Sequence, residues 1–354
     1  MIPEPVDNLG ALQGYHSPQV DVEVRLNTNE SPYGPPPAWV EAVAGELAAL
    51  AHNRYPDRRA TALRRALGEL HGVDADQVFA ANGSNEVLQT LFLTYGGAGR
   101  AAAVFEPTYA MHGQIGRVTS TAVLVGERAE DFSLDLTEVK RVLADGRPAL
   151  TFVCSPNNPT GRAEARPVVE EVLELAPGLV VVDEAYAQFS SWTALDLLAA
   201  DPGLPLVVTR TYSKTWSMAA FRLGYLVGPV EVVAELEKRV LPYHLDAVKQ
   251  AAGRLAVGFR DEMESRVAAL VAGREAIQAG LAGLAVEWWP SDANFVLFRP
   301  RGRSGDEVWR ALVERSVLVR NCGTWPRLGN CLRVTVGTPG ENARFLEALA
   351  GVLA

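Results

Sequence analysis

From about residue 78 to residue 227, short apolar, β-prone runs alternate with stretches of helical periodicity, and no other feature of the chain constrains its fold as much. Parallel strands need long crossover connections, which helices supply, so the alternation predicts an α/β domain on a mainly parallel sheet. Strands are predicted over 78–81, 101–105, 121–125, 149–154, 179–183, 206–211 and 223–227. The run Leu179-Val-Val-Val-Asp183 shows no polar alternation, as expected where helices cover both faces of a sheet. Beyond about residue 230 come long Ala/Leu/Arg/Glu stretches and then a compact group with strands predicted over 294–298, 317–320 and 332–336. That second pattern predicts a smaller α+β domain. Seven of the first 37 residues are proline, which argues for an extended arm without regular elements. The expected division is therefore an arm over 1–37 packing on the small domain or a partner, a large α/β domain over 38–240 and a small C-terminal domain over 241–354.

A length of 354 residues suits two domains, and 48% hydrophobic against 21% charged residues suits a large core. The net charge of -9 is opposite to the footprint of a nucleic-acid binder. No run approaches the roughly 18 apolar residues of a membrane span, and the opening MIPEPVDNLG lacks a basic-then-apolar leader pattern. The expectation is a cytoplasmic protein acting on small molecules, with neither nucleic-acid nor membrane partners. Cys154, Cys322 and Cys331 stand at no metal-ligand spacing, and the histidines at 16, 52, 71, 112 and 244 are scattered, so no metal site is expected.

Only four lysines occur: Lys140, Lys214, Lys238 and Lys249. Lys214 follows an apolar strand in Thr209-Arg-Thr-Tyr-Ser-Lys214-Thr-Trp, beyond a strand's carboxyl end, where α/β sheets bind ligands. Flanked by Ser213, Thr215 and Trp216, it lacks the charged surroundings of a solvated surface lysine and is the best candidate for a reacting amine. Asp183 ends the run 179–183, with the phenol of Tyr186 three residues on and the amide of Asn157 in the preceding turn-rich loop Ser155-Pro-Asn-Asn-Pro-Thr-Gly161. A lone carboxylate there often only caps a helix; amide, carboxylate, phenol and amine at successive strand ends suggest a site. In Ala81-Asn-Gly83-Ser84-Asn85-Glu86 a strand meets a helix through Gly and Ser, whose free N–H groups favour a phosphate, and Ser213 and Arg222 could complete the cup. Tyr109 opens the next unit and could stack on a planar ring, or be an ordinary core tyrosine.

These stretches resemble the fold-type I pyridoxal-phosphate aminotransferases, and within them the histidinol-phosphate aminotransferases. The resemblance rests on Arg25-Leu-Asn-Thr-Asn-Glu-Ser-Pro, Asn53-Arg-Tyr-Pro-Asp, Ala81-Asn-Gly-Ser-Asn-Glu, Cys154-Ser-Pro-Asn-Asn-Pro-Thr-Gly, Val182-Asp-Glu-Ala-Tyr, Thr211-Tyr-Ser-Lys, Phe221-Arg-Leu-Gly-Tyr, Ser291-Asp-Ala-Asn-Phe-Val and Leu332-Arg-Val-Thr-Val-Gly, in family order from 25 to 337. It implies pyridoxal 5'-phosphate held through Lys214, with Asp183 at the pyridine nitrogen and Asn157 and Tyr186 at the ring hydroxyl. Gly83, Ser84, Ser213 and Arg222 would hold its phosphate, Tyr109 would stack on its ring, and Asn85 would also bind the cofactor. It further implies a homodimer in which Tyr55 reaches the neighbouring subunit's cofactor, and Arg320 and Arg333 as anion-binding residues, with Tyr15 and Asn29 on the substrate side. The substrates implied are an amino donor and a 2-oxo acid acceptor. The loop Thr215-Trp-Ser-Met-Ala-Ala-Phe-Arg222 departs from the pattern, so Trp216 and Ala220 are expected to reshape the cofactor wall. Rivals on the same scaffold are an aromatic or broad-range aminotransferase and a decarboxylase of phosphorylated amino acids. A cofactor-sensing regulator would need a basic DNA-binding domain, for which this chain has neither the length nor the charge.

Overall fold

Twelve strands are present in the computed structural model, which describes residues 19–354. They are β1 (Val24–Leu26), β2 (Val78–Ala81), β3 (Ala101–Glu106), β4 (Ala122–Glu127), β5 (Leu150–Cys154), β6 (Leu179–Asp183), β7 (Leu206–Thr211), β8 (Gly224–Val227), β9 (Val286–Trp288), β10 (Phe295–Pro300), β11 (Val317–Asn321) and β12 (Leu332–Thr335). Seven of them form one sheet in the order β2-β8-β7-β6-β5-β3-β4. The pairs from β4 through β3, β5 and β6 to β7 are parallel, while β8 runs antiparallel to both its neighbours.

The apolar runs are continuous because this sheet is buried on both sides. Every residue of β5, β6 and β7 is buried. Along β6, Val180 and Val182 enter one hydrophobic core and Val181 enters the other. Each Val or Leu so placed contributes roughly 1.5–3 kcal/mol of transfer free energy. The crossover Leu136–Gly146 shows the local logic of the covering helices. Asp135 accepts a hydrogen bond from Thr137 N at 2.8 Å to start it, and Val139, Val142 and Leu143 form its buried stripe.

The other five strands form a second sheet, β1-β11-β12-β10-β9, in which β1 pairs parallel with β11 and the remaining pairs are antiparallel. Two of its strands depart from the sequence reading. The proline-rich arm contains β1 because Val24 and Leu26 alternate with exposed Arg25 in the proline-free interval between Pro18 and Pro32, and both bury in the second core. The other, β9, is an edge strand of only three residues, too short to show a period.

Leu245, Ala252 and Ala256 join the first core, so the packing around the larger sheet runs past residue 240. There the helix Ala247–Val257 lies against Pro37–Ala49, and Trp39 Nε1 donates to Ala252 O at 3.1 Å. The 23-residue helix Arg260–Ala282 then links the two cores, with Met263 in the first and Leu270, Ile277 and Leu281 in the second. No helix among the described residues is long and apolar enough to cross a membrane.

Candidate active site

The carboxyl ends of the parallel strands open into a cavity of about 410 Å³, closed on its far side by Asn27 to Glu30 and by residues on and between β11 and β12. Because β8 runs antiparallel, its amino end falls on this same edge and brings Arg222 in. The topology therefore delivers side chains distant in sequence to one place, as expected of a doubly wound sheet.

At one end lies an anion cup. Gly83 has a φ of 82°, a left-handed turn favouring glycine, and a Cβ there would stand 3.0 Å from Arg222 Nη2. A Cβ on Gly224 would lie 2.3 Å from Ser84 N, so glycine is what lets β8 approach the start of the helix Ser84–Tyr95. Arg222 Nη1 donates to Ser213 Oγ at 3.1 Å. A helix N-terminus, a guanidinium and a hydroxyl thus converge, the donor set suited to a phosphate.

At the floor, Asp183 is 2% exposed; its Oδ2 lies 2.9 Å from His112 Nε2 and its Oδ1 accepts from Ala185 N at 3.2 Å. Tyr109 donates to Asn85 Oδ1 at 3.0 Å, so the structure gives Asn85 the task of fixing that ring. Tyr186 OH accepts from Asn29 Nδ2 at 2.9 Å, and burial pushes its phenol up to about 12. Asn29 itself is held by Thr335 Oγ1, which donates to its Oδ1 at 3.1 Å, and by Asn294 Nδ2, which donates to its carbonyl at 3.2 Å. Its side chain positions Tyr186 from the cavity wall.

Lys214 Nζ donates to Thr28 O at 3.2 Å and lies 5.8 Å from the centre of the Tyr186 ring. Burial lowers its pKa to about 7, helped by the charges of Arg333 and Arg222 and opposed by Glu30. The other lysines are paired to Glu171, Glu235 and Asp246 and do not line the cavity. A neutral amine is thus available near neutral pH at one place in the cavity wall.

On the far wall, Arg320 and Arg333 stand directly opposite each other across β11 and β12, and both are at least nine-tenths buried. Arg333 donates to Asn158 Oδ1 and, at 3.1 Å, to Asn27 O, with its guanidinium 5.1 Å from the centre of the Phe295 ring. Two guanidinium groups thus share one wall, a setting suited to an anionic group in the occupant.

Not every residue expected at the site lines this cavity. Asn157 is fully buried and its amide ties its loop to the segment after β3, donating to Pro107 O at 3.0 Å and accepting from Thr108 Oγ1 at 3.0 Å, while it also donates to Thr160 Oγ1 at 2.9 Å in its own loop. Asn158, the next residue, lines the cavity instead. Trp216 turns away from the cavity into the first core against Tyr212, at a ring separation of 5.6 Å, whereas Ala220 does line the cavity. Tyr55 is 81% exposed and stacks on Tyr243 at 4.5 Å, outside the cavity wall. Tyr15 lies outside the described residues. The sequence reading passed over His112, whose signal was its place one helical turn after Tyr109 in Ala110–Val118. It also passed over Trp325, which lines the cavity.

Pyridoxal phosphate, the cofactor implied by the resemblance, is matched by this arrangement. The Gly83 cradle that a Cβ would fill could take its phosphate, the buried carboxylate of Asp183 could face a ring nitrogen, Asn158 and Tyr186 could meet a ring hydroxyl, and the Lys214 amine could take an aldehyde.

Comparison with known proteins agrees with the geometry. The family described as aminotransferase class I and II matches residues 21–349. Histidinol-phosphate aminotransferase of Frankia casuarinae is 46% identical, covering 98% of this chain and 89% of the relative. That of Thermobifida fusca is also 46% identical, covering 97% and 94%. The crystal structure of histidinol-phosphate aminotransferase from Sinorhizobium meliloti in complex with pyridoxal-5'-phosphate superposes with a TM-score of 0.89 over 100% of this chain and 98% of that one, at 20% identity, and shows the same fold. The chain belongs to the aminotransferase class I and II family.

Proposed function

We propose that this protein is a pyridoxal-phosphate aminotransferase that interconverts histidinol phosphate plus 2-oxoglutarate with imidazole-acetol phosphate plus glutamate, in the cytoplasm, as a step of histidine biosynthesis. The observation that carries this reading is the presence, in one cavity, of a near-neutral amine at Lys214 and a buried arginine pair at 320 and 333. When bound, pyridoxal phosphate supplies an aldehyde that accepts and returns the amino group and a ring that takes up the electrons of the deprotonated donor carbon.

The protein supplies the rest. Gly83, Ser84, Ser213 and Arg222 would hold the phosphate, Tyr109 would stack on the ring, and Asp183, steadied by His112, would favour the proton on the ring nitrogen. Asn158 and Tyr186 would orient the ring hydroxyl. Lys214 would hold the cofactor through its amine and would move the proton to and from the donor carbon, a task suited to an amine of pKa about 7. Arg320 and Arg333 bind the donor phosphate in one half-reaction and the carboxylates of glutamate and 2-oxoglutarate in the other.

Histidinol phosphate has no α-carboxylate, so its dianionic phosphate must occupy an arginine site. Removing one member of a buried charge pair costs about 2–5 kcal/mol, and about 1.4 kcal/mol is tenfold. Arg333→Leu is therefore expected to lower kcat/KM for histidinol phosphate and for glutamate by roughly tens to thousands of fold, and dephosphorylated histidinol is expected to be a poor donor for the wild type. Steady-state rates with histidinol phosphate, histidinol and phenylalanine test this. A wild type that used phenylalanine as well as histidinol phosphate would make the protein an aromatic aminotransferase.

The reading includes a homodimer in which Tyr55 reaches the partner's cofactor phosphate. It is supported by the exposed apolar side chains of Tyr55, Leu241, Tyr243 and Val248, of which Tyr55 and Tyr243 stack on each other. Hydrogen bonds to charged groups are worth about 1.5–3 kcal/mol, so Tyr55→Phe is expected to weaken cofactor binding roughly ten- to a hundredfold. A fully active monomer in sedimentation and activity assays, or an unchanged cofactor Kd in the variant, would contradict it.

A further inference from the structure

Between β11 and β12, the segment 322–331 forms an arch. Its base is closed by Cys322 N donating to Cys331 O at 2.9 Å, and two turns shape it, with Trp325 N donating to Cys322 O at 2.9 Å and Leu328 N to Trp325 O at 3.1 Å. Cys322, Leu328 and Cys331 pack with Phe132 and Leu297 in a small apolar core of their own. Arg327 ties the arch to the larger sheet, hydrogen-bonding the carbonyl of Arg128 and lying 3.8 Å from Glu127 Oε2. The arch is thereby fixed from both sheets, and whatever it carries is held in place.

What it carries into the cavity is Trp325. The guanidinium carbons of Arg320 and Arg333 lie 5.4 and 5.9 Å from the centre of its rings, within reach of a cation–aromatic contact. The two arginines face each other across antiparallel strands, an arrangement that is unfavourable for like charges. Their burial reduces the screening that water would provide. An aromatic face beside both cations offsets part of that repulsion without neutralising either.

We propose that Trp325 is a specificity-determining residue of the donor site. It holds Arg320 and Arg333 together as a two-cation clamp and shields that clamp from water, favouring a donor whose far end is a dianion, such as a phosphate monoester, over one ending in a single carboxylate. The inference rests on the reading of Arg320 and Arg333 as the anion site. The plain alternative is that Trp325 only covers the apolar core of the arch, in which case its loss lowers stability without changing donor choice.

The test measures kcat and KM for histidinol phosphate and phenylalanine, with thermal unfolding, in wild type, Trp325→Leu, Trp325→Met, Trp325→Phe and Arg333→Leu. Trp325→Leu and Trp325→Met are expected to raise KM for histidinol phosphate roughly ten- to a hundredfold, the loss of two cation–aromatic contacts, with a much smaller effect on KM for phenylalanine. The loss should fall on KM rather than kcat. Trp325→Phe, which keeps an aromatic face, is expected to recover most of it, whereas Trp325→Met keeps the apolar contact without the face and is not. If Trp325→Leu and Trp325→Met leave both KM values unchanged, or raise both equally in step with a lower unfolding temperature, the inference is overturned while a raised KM in Arg333→Leu keeps the anion site. An unchanged KM for histidinol phosphate in Arg333→Leu as well overturns the anion site and the inference together.

Discussion

Lys214→Ala is expected to lose turnover by at least two to four orders of magnitude, the range attributed to one positioned acid–base group, and to keep its fold. Both halves follow from where the amine sits. The other three lysines do not line the cavity, so none of them replaces it. Its partner is a carbonyl rather than a carboxylate, so truncation strands no buried counter-charge. The thermal midpoint should therefore stay close to that of the wild type. A pH dependence follows from the depressed pKa. The amine is protonated and unreactive below about 7 and neutral above it, so the rate of cofactor loading should rise with pH through that value and then level off. Stopped-flow absorbance on cofactor-free protein measures this directly. A loading rate that kept rising towards the ordinary lysine range, near 10.5, would show that the amine is not enclosed as described.

The second large effect is expected at Asp183. Replacement by Asn keeps the shape and leaves an amide oxygen able to accept from Ala185 N, so the turn after β6 should survive. The negative charge proposed to face the ring nitrogen does not survive. Loss of one partner of a buried ion pair costs about 3–5 kcal/mol, which corresponds to roughly two to four orders of magnitude in rate. His112 does not make up the loss, because it offers that nitrogen no negative charge. Steady-state rates and circular dichroism of Asp183→Asn separate the two roles of the carboxylate. Near-normal turnover would mean that it serves only as an acceptor in the turn.

The parts of this arrangement that could be read from the sequence are those in which one residue's environment is set by its own strand. The run 179–183 announces a strand covered on both faces, and its only charged residue, Asp183, falls where the sheet ends. Lys214 could be singled out because the chain has so few lysines and the other three fall in helical stretches rather than at a strand end. Arg320 and Arg333 carry their strand context with them. What escaped depends on contacts between distant segments. Asn157 and Asn158 are identical and adjacent, and only the folded loop decides which one turns inward to Thr108 and which faces Arg333. Trp216 looked like part of the cofactor wall, but its ring finds Tyr212 in the first core. The strand β1 was masked by flanking prolines, because its pairing partner, Val317–Asn321, lies almost three hundred residues away. For Trp325, the sequence places an aromatic between two arginine-bearing strands, and only the arch explains why it touches both.

The central claim is that Lys214 is the amine through which this cavity holds its cofactor, and mass spectrometry of the borohydride-reduced holoenzyme tests it most directly. Reduction fixes the cofactor to the nitrogen that carries it, and peptide mapping then names the residue. The expected result is a single pyridoxyl-modified peptide containing Lys214. A modification on Lys140, Lys238 or Lys249, or none at all in protein that still transaminates, would contradict the account.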